Sequence, residues 1–136
     1  MSFSSDMRKF AKKTGITMEE AAVSVCSQVV ESVIEKTPVD TGVARANWIA
    51  TLDSAHSGTS SAKDKSGMVA IAKANSVAKK ASGKVFYLTN NLPYIRKLEF
   101  GGYNAGPKVV GGFSAQAPAG MVRITMAKLK LSLKRF

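Results

Sequence analysis

The chain has 136 residues, a hydrophobic fraction of 45% and a formal net charge of +11, a size that fits one domain with a modest core. No uninterrupted apolar run approaches the roughly 18 residues of a membrane-spanning helix, and Cys26 stands alone, which excludes an intrachain disulfide and a thiolate zinc cluster. The charge is uneven: residues 1–53 hold six Lys or Arg against seven Asp or Glu, and residues 54–136 hold fourteen against two, so the second half is the part drawn to phosphate or to an acidic protein surface.

The opening residues, Met-Ser-Phe-Ser-Ser-Asp-Met-Arg, carry no apolar stretch after a basic start. No secretory signal is expected, and the protein is expected in the cytoplasm where it is made. Residues 1–16 are expected to form a basic helical arm, with Asp6 capping a helix from Met7 to Lys13 and Gly15 ending it. Thr17 and Glu20 form a capping box that opens a longer helix, Met18–Lys36. Its stripe of Met18, Ala22, Val25, Val29 and Val33, widened by Cys26, Val30 and Ile34, is expected to face the sheet.

The stretch Lys36–Trp48 changes the chain's direction. Pro38 lacks an N–H and pushes Thr37 out of the helical region, so the helix stops there. Asp40, Thr41 and Gly42 supply a turn. The alternation of Ala44, Ala46, Trp48, Ala50 and Leu52 with Arg45, Asn47, Ile49 and Thr51 predicts a half-buried strand over Ala44–Leu52, with Trp48 inward.

Residues 53–67 are rich in Ser, Gly, Ala, Lys and Asp, and their composition predicts a mobile loop in which His56 is solvated. Met68–Ala81 is expected to be helical, although Met68–Ala72 also reads as strand. Val85–Thr89 reads as a central strand and Pro93–Phe100 as a short helix pinned by Tyr94, Ile95, Leu98 and Phe100. Residues 103–116 form a second loop expected to be flexible, with a further strand possible at Lys108–Phe113. Gly111-Gly112 lacks the Lys-Ser or Lys-Thr ending of a phosphate-binding loop. A final basic helix, Ala119–Lys134, carries Val122, Met126, Leu129 and Leu133 as its apolar line. These elements predict an α+β fold: a single two-layer domain spanning 1–136, in which a small antiparallel or mixed sheet packs against the long N-terminal helix and the C-terminal helix.

Three blocks carry a family likeness: Thr37–Trp48, Tyr87–Tyr103 and Gln116–Val122. Together they resemble, in order, the signature of the tail-completion or neck proteins of long-tailed double-stranded DNA bacteriophages. Pro38, Asp40, Thr41, Gly42, Arg45 and Trp48 match the first block, and Asn90, Tyr94, Glu99, Gly101 and Gly102 match the second. The resemblance implies fold-defining rather than catalytic roles for these residues. It also implies a virion protein without a cofactor, joining head connector to tail as a ring, a hexamer, around the DNA channel. Implied partners are copies of itself, the adjacent head-connector and tail-terminator or tail-tube proteins, and packaged DNA bound non-specifically; no membrane is involved. The sequence departs where many members have Arg-Leu after the glycine and this one has Val43-Ala44, and its third block is less Arg-Pro-rich. A tail terminator or stopper subunit of the same neck stays open as an alternative.

The residues themselves weigh in the same direction. Asp40, Asp53, Asp64 and Glu99 fall in unrelated contexts, and one His with one Cys leaves no nucleophile–base pair, so no enzyme is expected. Glu99 reads as the partner of a nearby Arg or Lys. The remaining rival is a free-standing nucleic-acid binder, whose phosphate-facing cations would be the same ones a neck subunit turns to DNA or a partner ring: Lys63, Lys65, Lys108, Arg123, Lys128, Lys130, Lys134 and Arg135.

Overall fold

The computed structural model describes residues 2–136; Met1, the first residue of the expected arm, lies outside them. The fold is α+β. Helices α1 (Phe3–Thr14), α2 (Met18–Lys36), α3 (Val43–Ala46), α4 (Met68–Ala78), α5 (Ile95–Phe100) and α6 (Val122–Leu133) accompany strands β1 (Ile49–Leu52), β2 (Phe86–Thr89), β3 (Val109–Val110) and β4 (Phe113–Ser114). The strands form two antiparallel pairs. In the larger, Ile49 faces Thr89 and Leu52 faces Phe86.

Helix α2 is the shared wall of two cores. On one flank Val30, Val33 and Ile34 meet Trp48 and Ala50 of the β1 segment and Ala70 and Ala74 of α4, with Leu92, Leu98 and Met121 closing the cluster. On the other, Ala21 and Val25 meet Met7 and Ala11 of α1 and Leu129 and Leu133 of α6. Val29 touches both clusters. A helix buried on two flanks cannot keep a single narrow stripe. Accordingly Met18 and Ala22, expected to face the sheet, are exposed, Val30 and Ile34 from the margin of the stripe are fully buried, and Ala21, outside the expected stripe, is buried with them. On α4, Ala70, Ala74 and Ala78 recur every four residues and are buried, so small side chains let its backbone approach α2 and the sheet.

Local chemistry moves several expected boundaries. Helix α1 begins earlier than its expected start because Ser2 caps it, its side chain accepting from the Ser5 N–H at 3.1 Å; Asp6 is not the cap but lies buried in the first turn. Thr17 caps α2 as expected, accepting from Glu20 N–H. The predicted strand Ala44–Leu52 is half helix: Val43–Ala46 forms α3, and extended pairing begins only at Ile49. Four small or polar residues in alternation carry too little side-chain mass to dictate a strand, and the left-handed Gly42 starts a helical turn instead. Met68–Ala72 is helical, not strand, and α4 ends at Ala78 rather than Ala81. Met68 is 71% exposed rather than facing the core. The final helix starts at Val122, where Thr125 replaces Val122 in the buried line.

Candidate functional site

The Thr37–Trp48 block is built around two buried side chains. Trp48 donates its indole N–H to Thr37 Oγ1 at 2.8 Å, and that hydroxyl donates to the Val33 carbonyl at 2.7 Å. Arg45, half-buried, gathers the carbonyls around it: Nε to Thr37 at 2.9 Å, one terminal nitrogen to Glu35 at 2.8 Å, and the other to Lys65 at 2.9 Å. It thus places a cation at the C-terminal end of α2, where carbonyl groups lack helical partners, and ties that end to the loop before α4.

That loop, residues 53–67, was expected to be mobile and is instead fastened at every few residues. The side-chain amide of Asn47 brackets Ser60, donating to its carbonyl and accepting from its N–H, each at 2.9 Å. Asp64 N–H donates to the Gly42 carbonyl, and the Asp64 carboxylate caps α4 by accepting from Gly67 and Ala70 N–H at 3.1 and 2.9 Å. Gly42 has φ +91°, and a Cβ there would lie 2.6 Å from Lys65 N and 2.7 Å from Asp64 N. Only glycine fits this crossing. The carbonyl of His56, in this fastened loop, accepts from Asn91.

The second and third blocks meet at a carboxylate. Glu99, 7% exposed, accepts from the backbone N–H groups of Met121 at 2.7 Å, Val122 at 2.9 Å and Arg123 at 2.8 Å. These are the free donors at the start of α6. Arg123 adds its own guanidinium, Nε to the carboxylate at 3.3 Å and a terminal nitrogen to the Glu99 carbonyl, and stacks over the Phe100 ring. Burial alone would raise the carboxyl's pKa. The three N–H donors and the guanidinium outweigh it and hold Glu99 below the usual carboxylate range.

The first block also meets the other two directly. Asn90 donates to the Ala44 carbonyl at 2.9 Å, and Gln116 pairs with both main-chain groups of Val39 at 2.8 and 3.0 Å. All three blocks then line one open groove of about 540 Å³, walled by Pro38, Asp40, Gly42, Tyr94, Tyr103 and Gln116. Tyr94, expected to pin α5 to the core, is 41% exposed on this wall, and Phe100 is 58% exposed under Arg123. Burial, then the neighbouring Tyr103 and Asp40, push the Tyr94 phenol up. Gly101 turns the chain beneath Phe113, and Gly102 N–H donates to the Gly112 carbonyl at 2.9 Å.

Residues 103–116 are likewise not a free loop. They fold into the β3–β4 hairpin, turning on Gly111 and Gly112, both at positive φ. Gly-Gly between Val109-Val110 and Phe113 is the sequence signal of such a hairpin.

Of the basic candidates, Lys63, Lys65, Lys108, Lys128, Lys130, Lys134 and Arg135 are exposed, whereas Arg123 is committed to Glu99. Sequence reasoning passed over Asn47, Asp64 and Gln116. Asp64, three residues before Gly67 at the start of an alanine-rich run, was the readable signal. Among the described residues no group of three His, Cys, Asp or Glu is placed to hold a metal ion. No protein-family model, curated protein or solved structure matches the chain.

Proposed function

We propose that this chain is a structural subunit of the neck of a long-tailed double-stranded DNA bacteriophage, a tail-completion protein that joins head connector to tail. In this reading it works as one member of a hexameric ring around the DNA channel and makes or breaks no covalent bond. One observation carries the proposal. The three blocks that resemble the neck family, far apart in sequence, converge on one groove, and the second and third also meet at the Glu99 carboxylate, so the residues of the likeness form a single construction.

Three further features support action through surfaces. Met68, Val69, Val85, Tyr87, Phe100, Val110 and Leu131 are exposed apolar side chains open to contact with a partner surface. Among the described residues the larger sheet has two strands, fewer than an independent sheet prefers, and each has a strand neighbour on one side only. Repetition of a +11 subunit around an axis concentrates positive potential where DNA or an acidic ring would lie. Lys63, Lys65 and Lys108 with the α6 cations Lys128, Lys130, Lys134 and Arg135 are the groups assigned to that side.

The test is a gene deletion in the phage that encodes it, followed by electron microscopy of the particles. Filled heads lying apart from finished tails are expected, with joining restored by the native gene and reduced by Lys63→Glu with Lys65→Glu and Lys108→Glu. Tailed infectious particles without the gene would overturn the reading. A free-standing nucleic-acid binder would instead retard duplex DNA at physiological salt with a steep salt slope, and would leave head–tail joining intact.

A further inference from the structure

Between α2 and α6, where an apolar seam is the normal filling, the chain places polar groups at helical spacing on both sides. Gln28, Ser32 and Lys36 follow one another at four-residue intervals on α2, and Thr125, Lys128 and Ser132 follow at three and four on α6; such spacings put each set along one face. The two lines flank an open pocket of about 190 Å³, lined by Gln28, Ser32, Thr125, Lys128 and Ser132 together with the apolar Val29 and Leu129, with Lys36 beside it. That volume holds several waters at about 30 Å³ each, or one tetrahedral anion.

The groups are already connected. Ser32 Oγ and Thr125 Oγ1 share a hydrogen bond of 2.8 Å, and Lys36 Nζ donates to Ser32 Oγ at 2.9 Å. Thr125 is 4% exposed. Among the described residues the ion pairs are Lys84 with Asp53 and Arg123 with Glu99, so no carboxylate neutralises Lys36 or Lys128. Glu31, the acid nearest Ser32 on α2, turns to Asn75 of α4 instead. The Lys128 ammonium and three hydroxyls make a donor-rich lining with no anion of its own, the Gln28 amide turning to Ser24 and the Lys36 ammonium lying one hydrogen bond behind Ser32.

We propose that this seam is a binding site for a phosphate group, carried either by inorganic phosphate or by a nucleic-acid backbone. It is distinct from the groove of the three blocks and does not depend on the neck assignment. The anion sits against Lys128 and accepts from Ser132 and from whichever of the Ser32 and Thr125 hydroxyls does not donate to the other, with Lys36 adding positive charge from behind Ser32.

The site is tested with the full chain and inorganic phosphate at constant ionic strength, chloride being exchanged for phosphate. Phosphate is expected to raise the thermal midpoint along a saturating curve. Lys128→Gln should weaken binding about tenfold, the loss of one charge-assisted hydrogen bond. Lys80→Gln, exposed beyond α4 and outside the pocket, should leave the curve unchanged. A rise that never saturates, or one that Lys128→Gln and Lys80→Gln reduce equally, would be general screening and would overturn the site. Phosphorus NMR of the native chain then distinguishes the sources. Broadening of the phosphate line that a short duplex reverses assigns the site to the backbone phosphodiester, and broadening that duplex leaves untouched assigns it to the free ion. An unbroadened line overturns the proposal.

Discussion

The indole N–H of Trp48 and the hydroxyl of Thr37 are hydrogen-bonded at 2.8 Å with neither side chain reaching solvent: Thr37 is 0% and Trp48 6% exposed. The hydroxyl also serves the Val33 carbonyl at the end of α2, so one oxygen joins helix, turn and strand entry. Thr37→Val keeps the shape but leaves a buried N–H and a carbonyl unpaired. It is expected to destabilise by about 2–3 kcal/mol. Trp48→Phe in the same background should cost less than it does in the native chain, because the N–H that Thr37→Val orphans is then gone; urea denaturation of the four proteins measures the coupling. Strict additivity would show that the bond contributes nothing.

Gly42→Ala introduces strain that no side-chain movement relieves, since the obstructing atoms belong to the backbone of Asp64 and Lys65. A loss of about 2–4 kcal/mol is expected from the positive φ and the clash together. Hydrogen exchange should locate the damage at Asp64 N–H, which bonds the Gly42 carbonyl. Native-like protection there in the variant would contradict this account.

Asn47→Ala removes both bonds to Ser60 and the amide's bond to the Val43 carbonyl, while leaving the main-chain bonds from Asn47 N–H to Val43 and Ala44. The local effect should exceed the global one: about 1–2 kcal/mol in stability, but much faster tryptic cleavage at Lys63 and Lys65. Cleavage of native and variant at equal rates would mean that the loop is held by something other than this amide.

For Glu99 the sign follows from its lowered pKa. A carboxyl more acidic in the folded than in the unfolded chain contributes stability that is fully present above the unfolded value, about 4.3, and is lost as pH falls through the folded value. Glu99→Gln is therefore expected to be less stable than the native chain at neutral pH, by about 2–3 kcal/mol for the three N–H donors and the half-exposed Arg123. Its acid limb should be shallower, so that the two stability curves converge as pH falls through the folded value of Glu99. Parallel curves through the acid range would remove Glu99 from the acid transition.

What the sequence made legible was carried by residues whose effect is local. Thr17 and Glu20 marked where α2 starts, Pro38 marked where it stops, and Glu99 was readable as the partner of a basic group, found in Arg123. What it hid was carried by bonds between a side chain and a distant main chain. Residues 53–67 have the composition of a free loop, yet Asn47, Arg45 and Asp64 order them through carbonyls and N–H groups that every residue has. Tyr94 and Phe100 read as core because aromatics usually are, and face solvent because α5 has Leu98 for that purpose.

Among the described residues β1 and β2 each have a strand partner on one side only, so the larger sheet ends in one edge at β1 and another at β2, and these are not alike. A copy docked by one edge onto the other offers its successor the same invitation, so growth has a direction and does not end at a pair. Whether it ends at all is decided by the rotation from one copy to the next: an angle that divides a full circle closes a ring, and any other angle winds a fibre. Sedimentation of the purified chain at rising concentration would read that angle as a plateau in size or as its absence.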